Sequence, residues 1–321
     1  MNPLPLAEFA PAGSLPQPTC HTPPMNAPTS PPPDAATAIG AWWNHFWFLP
    51  AEALLLAKVR WLAGGLALLL WWSYGPDLIT WFGPQGLVSP EVSSQWRPTY
   101  GLSLWDATAA PAGIWTLYAS GALALLALTI GFGTPVTAVL AALFFASLLH
   151  RGPMLAGPAD DVTALILWCL AIGRSGDALS VDSFLAARAG RPAQPPGVRN
   201  RIGLSLLRVH ASVLAAAAAL AQLKGDVWWD GSAAWWLAAR ADLWMTNLAP
   251  LLANAEYLTN LLTHGVTLFE IIFALGVWIG PVRRSVAGAG LVAWPLIGLL
   301  AGEPFWGAAM AILALACLAE E

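Results

Sequence analysis

Residues 203–223 read G-L-S-L-L-R-V-H-A-S-V-L-A-A-A-A-A-L-A-Q-L, and their only ionisable side chains, Arg208 and His210, sit near the start. As a helix this run extends about 31 Å, enough to cross a hydrocarbon core about 30 Å thick. Lipid offers no partner to a backbone N–H or C=O, so a chain placed there must close its hydrogen bonds internally, as a helix does. Similar runs recur at 58–75, 111–132, 134–150, 160–173, 256–279, 285–301 and 305–319. The expectation is an all-α polytopic membrane protein with eight spans and additional interfacial helices. Gly133 alone separates the second run from the third, and Gly302-Glu303-Pro304, a turn built from helix breakers, separates the last two.

Composition supports the bilayer as solvent. Hydrophobic residues make up 57% of the chain and charged residues 10%, and mean hydropathy is +0.62. A net charge of −4 with a pI near 5.7 argues against nucleic-acid binding, which wants a basic face. The three cysteines, Cys20, Cys169 and Cys317, form no C-x-x-C pair and no Cys/His grouping at metal-ligand spacing, so no metal is expected. Tryptophan is abundant, with pairs at Trp42-Trp43, Trp71-Trp72, Trp228-Trp229 and Trp235-Trp236. Each pair borders an apolar run or lies in a connection, and reads as an anchor at the headgroup level.

Residues 1–40 are Pro-, Ser-, Thr- and Ala-rich, with no helical period, and are read as a disordered cytoplasmic tail without the basic and apolar regions of a signal peptide. Met25 offers a second start. Residues 41–57 read as an interfacial helix leading into a transmembrane domain over 41–319. The basic residues orient the spans. With the N-terminus inside, Arg174, Arg188, Arg191, Arg199, Arg201, Arg283 and Arg284 fall in cytoplasmic connections, and Arg60 flanks the first span. The longer outer loops hold Arg97, Arg151, Lys224 and Arg240. An even number of spans returns Glu320-Glu321 to the cytoplasm. The expected location is a bacterial cytoplasmic membrane with both termini inside.

Ionisable groups inside spans cost about 2.5–3.5 kcal/mol each at a helix centre, so each is a candidate for function. The candidates for catalysis are Arg208, His210, Lys224, His264 and Glu270. His264 and Glu270 are six residues apart, about 600° of helical rotation, so they do not share a face. Lys224, Asp226 and Asp230 gather with four tryptophans after residue 222. A lysine in an aromatic rim loses its proton more readily and would serve as a base, whereas nearby aspartates hold the proton on. A salt-linked loop is the simpler expectation. His150-Arg151 and Asp160-Asp161 flank a short outer loop and are expected to form a polar latch across it.

Further motifs recur in order along the chain. L-L-R-V-H…Q-L-K-G-D-V-W-W-D-G-S-A spans 206–233, W-N-H-F-W-F 43–48, F-G-P-Q-G 82–86 and G-F-G-T-P-V-T 131–137. L-H-R-G-P covers 149–153, A-I-G-R-S-G-D-A-L-S-V-D 171–182 and L-T-H-G-V-T-L-F-E 262–270. Together they resemble the horizontally transferred transmembrane (HTTM) domain family, related to vitamin K-dependent gamma-carboxylase. Arg208, His210, Asp230, Gly231, His264 and Glu270 match the family pattern. The carboxylase-type pattern places a lysine just before the leucine that precedes the W-W-D-G loop, where this chain has Gln222. Bacterial members carry a histidine in the next-to-last span, where this chain has Trp294. The resemblance is to a bacterial-type member without the large extracytoplasmic domain of the animal carboxylase.

Two functions are then expected. The first is a non-catalytic accessory subunit or scaffold of a membrane complex, because glutamine and tryptophan replace groups that move protons. The second is a membrane enzyme that holds a quinone-like lipophilic ligand and acts at the extracytoplasmic face. Its ligand-binding candidates are Gln222, Trp228, Trp229, Asp230, His150, Arg151, Asp160 and Asp161. The lipid bilayer and other membrane subunits are the expected partners. A transporter is disfavoured because neither half of the chain repeats the other.

Overall fold

The computed structural model of the protein describes residues 35–97, 101–240 and 248–319. The tail through residue 34 with Cys20 and Met25, together with Asp242, Glu320 and Glu321, lies outside the described residues. The chain divides into two compact units, 1–41 and 42–321. In chain order the helices are α1 (Ala35–Phe48), α2 (Ala53–Ser73), α3 (Leu78–Phe82), α4 (Pro90–Trp96), α5 (Pro111–Ile130), α6 (Thr134–Arg151), α7 (Pro158–Ile172) and α8 (Val181–Arg188). They continue with α9 (Val198–Gln222), α10 (Asp226–Trp229), α11 (Ala233–Ala238), α12 (Ala249–Ala253), α13 (Glu256–Gly276), α14 (Gly280–Ala301) and α15 (Pro304–Ala316). Among the described residues there is no strand, only one antiparallel bridge between Ala51 and Gly197.

Six helices, α2, α5, α6, α9, α13 and α14, are long and apolar enough to cross a membrane. The chain is therefore built as a multi-pass membrane protein. The other two expected spans correspond to α7 and α15, of 15 and 13 residues. The N-terminal reading changes: helix begins at Ala35, inside the stretch expected to lack it, and stops at Phe48 before Pro50, so α1 and the first span are separate helices. Proline at 50 has no N–H to donate and disfavours helix in the residue before it.

The core of the second unit forms around two helices. α2 packs against α5, α7 and α15, and α15 in turn packs against α14, α7 and α9. Leu56, Val59, Ala63, Leu66 and Leu70 of α2 and Ala309, Leu313 and Ala316 of α15 are buried there. Their neighbours outside, such as Leu62, Leu69 and Leu123, are exposed and apolar, as lipid-facing positions require.

The turn between α5 and α6 shows how distant residues terminate helices. Gly131 (φ +75°) takes the left-handed conformation that ends α5, with Phe132 N–H on Ala127 O (2.8 Å) and Gly131 N–H on Leu128 O (3.0 Å). This is the double-bonded cap that glycine permits. Arg60, buried inside α2, donates to the last carbonyls of α5, Leu128 and Thr129 (2.7 Å each), and to Ser175 O (3.2 Å) and Leu179 O (2.6 Å). Asp182 of α8 accepts from Gly133 N–H (2.8 Å), Thr134 N–H (2.8 Å) and the Thr134 hydroxyl (2.7 Å) at the start of α6. A cation thus closes one helix C-terminus and an anion the next N-terminus, the favourable sign at each end of the dipole. Leu179, a non-glycine residue at φ +45°, is held in that strained conformation beside Arg60.

The tryptophan pairs divide between inside and outside. Trp71 is buried, donating Nε1–H to Tyr118 O (3.2 Å), while Trp72 is 77% exposed. Trp229 and Trp236 are exposed and their neighbours half-buried, whereas Trp42 and Trp43 are both exposed. Adjacent helical residues differ by about 100° in direction, so a pair on a packed helix rarely anchors with both rings.

Candidate functional site

The candidates separate into groups along the bundle. Arg208 and His210 lie about 21 and 18 Å along α9 from Gln222, counting 1.5 Å per residue. Arg208 is buried, with its guanidinium 5.7 Å from the Phe46 ring centre. His210 Nδ1 pairs with the Leu206 carbonyl one turn back (2.7 Å) and lies 3.9 Å from Cys169 Sγ. These two residues lie toward the arginine-rich end of the bundle, away from the tryptophan loop.

At the opposite end, α9 stops at Gln222 and the W-W-D-G loop folds back on α13. Trp229 donates Nε1–H to the Leu223 carbonyl (2.9 Å), one of the acceptors left open where α9 ends. Gly231 (φ +81°) makes the turn. Asp230 accepts from Ser232 N–H (2.8 Å), just ahead of α11, which begins at Ala233. Ser232 holds the Asp230 carboxyl below the usual range. Thr263 of α13 pins the loop: its hydroxyl donates to Gly231 O (2.8 Å) or Thr259 O (2.9 Å) and accepts from Ala234 N–H (3.0 Å). No sequence signal marked Thr263, because its partners lie 29 and 32 residues away.

Behind the loop runs a short polar chain within the bundle. The Thr267 hydroxyl donates to Gln222 Oε1 (2.6 Å), and the Gln222 side chain lies near Glu270. Glu270 is 1% exposed and its Oε2 has no hydrogen-bond partner among the described residues. A cavity of about 180 Å³ opens beside this chain, lined by Leu223, Trp228, Trp229, His264, Thr267 and Leu268 among others. A second, of about 420 Å³, lies on the other side of the loop and includes Asp230, Ser232, Glu256 and Asn260. His264 is exposed at the first cavity while Glu270 is buried, as their separation on the helix requires. Lys224 lines neither cavity; it is exposed and has no ion pair among the described residues, so the salt-linked loop does not form.

Trp294 is fully buried in an aromatic cluster, edge-on to Phe269, Phe273 and Trp306 with ring centres 5.3, 5.4 and 5.7 Å away. This packing is worth about 0.5–1.5 kcal/mol per pair beyond area burial. It fills the space that a smaller imidazole would leave open.

The expected latch takes another form. Arg151 lies 3.8 Å from Asp106, which also binds Arg97 (2.6 Å). His150 Nδ1 pairs with Leu102 O (2.9 Å). Asp160 turns back to cap its own helix, accepting from Gly157 N–H (2.8 Å), and Asp161 is exposed. Asp106 wins because the 101–107 segment lies directly over the end of α6, where Ser103 donates to Ser147 O (2.7 Å).

Among the described residues no cluster of His, Cys, Asp and Glu has the arrangement to hold a metal ion. Comparison of the chain with protein-family profiles, curated proteins and solved structures finds no match.

Proposed function

We propose that this chain is an HTTM-like protein, of the superfamily that includes gamma-carboxylase, acting as a non-catalytic accessory subunit or scaffold in a bacterial cytoplasmic membrane. The observation that carries the reading is the fate of the two positions where the related pattern holds proton-moving groups. Gln222 is a neutral acceptor for the Thr267 hydroxyl near Glu270, and Trp294 is sealed among aromatic rings. Neither accepts a proton from a reduced quinone. The assay is oxidation of a reduced naphthoquinone by the purified protein in vesicles, with bicarbonate present. No turnover above protein-free vesicles is expected, and turnover abolished by Glu270→Gln would overturn the reading.

In this proposal the chain crosses the membrane eight times, α7 and α15 joining the six longer helices, with both termini cytoplasmic. A membrane-impermeant thiol reagent applied from outside should modify Ser232→Cys and spare Ser183→Cys. The reverse pattern inverts the topology.

The cavity beside His264 favours a second reading, a site for the head of a quinone-like lipophilic ligand, with Trp228 and Trp229 as stacking surfaces. Its volume of about 180 Å³ lies below the usual 300–1,000 Å³ of small-molecule pockets, so it suits a ring and not a whole ligand. A photoreactive naphthoquinone should label peptides containing residues 223–229 and 264–271. Labelling spread evenly over lipid-facing positions would remove this reading.

A further inference from the structure

The end of the bundle opposite the tryptophan loop holds a cavity of about 500 Å³, lined by Arg174, Arg191 and Arg199 together with the start of α6 and the end of α7. We propose that this cavity binds the phosphate of an anionic phospholipid headgroup. Three observations support it.

First, its acidic lining residues are already engaged. Asp182 is held by Gly133, Thr134 and the nearby charge of Arg60, and these outweigh the partial burial that would raise its pKa, so it stays an anion below the usual range. Asp177 pairs with Arg174 at 3.3 Å, while partial burial pushes its carboxyl up. That ion pair is exposed on the arginine side, and such pairs are weak and easily exchanged for a stronger anion.

Second, the arginines differ in how they are held. Arg199 donates Nε–H to Ile172 O (3.0 Å), which positions its guanidinium at the end of α7. The Arg174 backbone N–H is fixed on Asn200 Oδ1 (3.1 Å). Arg191 is exposed, and its side chain has no ion pair among the described residues. Planar guanidinium groups match phosphate oxygens in paired hydrogen bonds.

Third, the cavity lies where headgroups lie. Gly133–Pro135 open one candidate span, and Gly173 follows α7. α8 separates two environments: Asp182, Leu185, Ala186 and Ala189 face the arginine cavity, while Val181, Phe184 and Ala187 border an apolar groove with Trp61, Leu62 and Ile130. That groove, about 1030 Å³, can take acyl chain, whereas a free phosphate would use only the polar side. Basic pockets at span ends are an established way of holding anionic lipid headgroups.

The test uses the full chain purified in detergent, with native mass spectrometry to count retained lipids and a melting assay to follow ligand-induced stabilisation. Phosphatidylglycerol and phosphatidylcholine of the same acyl composition are compared, alongside inorganic phosphate. Phosphatidylglycerol should bind in preference to phosphatidylcholine. Each of Arg191→Gln and Arg199→Gln should weaken it about fivefold, and Arg174→Gln/Arg191→Gln/Arg199→Gln together about a hundredfold, following a surface contribution of about 1 kcal/mol per arginine. Inorganic phosphate should neither stabilise the protein nor displace the lipid.

Arg188→Gln is the control, because Arg188 stacks on Phe184 (5.5 Å) outside the cavity and carries the same charge nearby. An Arg188→Gln loss as large as that of Arg191→Gln would mean diffuse surface attraction and overturn the site. Equal retention of the two lipids would overturn it as well. Displacement by inorganic phosphate would assign the cavity to a free anion and end the lipid proposal. If the triple variant does not fold, Arg191→Gln still decides, since the Arg191 side chain has no ion pair to lose among the described residues.

Discussion

Replacing Asp182 with alanine should destabilise the α5–α6 turn at the arginine-rich end by a measurable amount. Its carboxylate satisfies three donors, Gly133 N–H, Thr134 N–H and the Thr134 hydroxyl, at 2.7–2.8 Å. Losing an N-cap costs about 0.5–2 kcal/mol, and charge-assisted bonds fall at the upper end, so Asp182→Ala should cost about 2 kcal/mol. At about 2–4 °C per kcal/mol, the melting temperature in detergent should fall by about 4–8 °C at neutral pH. Asp182→Asn keeps one acceptor oxygen and should lose about half as much. The pH dependence has a definite sign. The Asp182 pKa is depressed in the fold, so its stabilisation is complete above the unfolded value of about 3.9 and is lost as pH falls through the lower folded value. The gap between wild type and Asp182→Ala should therefore be constant from neutral pH down to about pH 5 and close in stronger acid. Thermal melts of both proteins across that range measure the gap. A neutral-pH gap within error of zero would refute the account of the α5–α6 turn.

Other changes test other contacts. Gly307→Val should lower the yield of monodisperse protein and cost about 1–3 kcal/mol, because a Cβ there would lie 2.6 Å from Trp294 O and 3.1 Å from Gly298 Cα; a wild-type melt would show that α14 and α15 can part without loss. Glu270→Gln should melt at or above the wild-type temperature, since the amide removes a buried carboxyl whose Oε2 has no partner. A clear fall would mean that the carboxylate is paired. Thr263→Val should cost about 1–3 kcal/mol and make the 224–234 loop more protease-sensitive, because a buried Ala234 N–H loses its acceptor. Unchanged proteolysis would show that the loop docks without Thr263.

Six of the expected spans were legible from run length, and α9 lies almost where its sequence was read as a crossing, whereas α7 and α15, of 15 and 13 residues, are too short for length alone to decide. The connections were less so. Arg60 and Asp182 could be seen as charged residues near span ends, but nothing local indicates that one would cap α5 and the other α6 across 68 and 48 residues. The motifs at 131–137 and 171–182 were noted separately, and in the fold they interlock through Asp182 and Thr134. The expected latch failed for a related reason: sequence proximity favoured Asp160 and Asp161, while Asp106 reaches Arg151 through the loop that covers α6. At the candidate site, Gln222 and Trp294 stood out by their chemistry, whereas Thr263 and Thr267 did not, because a threonine facing a helix partner looks the same in sequence as one facing lipid.

The position of α15 bears on how the protein is made. It is 13 residues long, about 20 Å as a helix, and it fills the space between α2, α7, α9 and α14. All four neighbours leave the ribosome before it. Until residues 304–316 follow, α2 and α7 can pack against each other and against α5, α6 and α9, but the faces that meet α15 lack that partner. Loss of this one short segment would therefore uncover surfaces on four helices at once, so residues 304–316 tie the first long helix of the bundle to the last through a single packed centre.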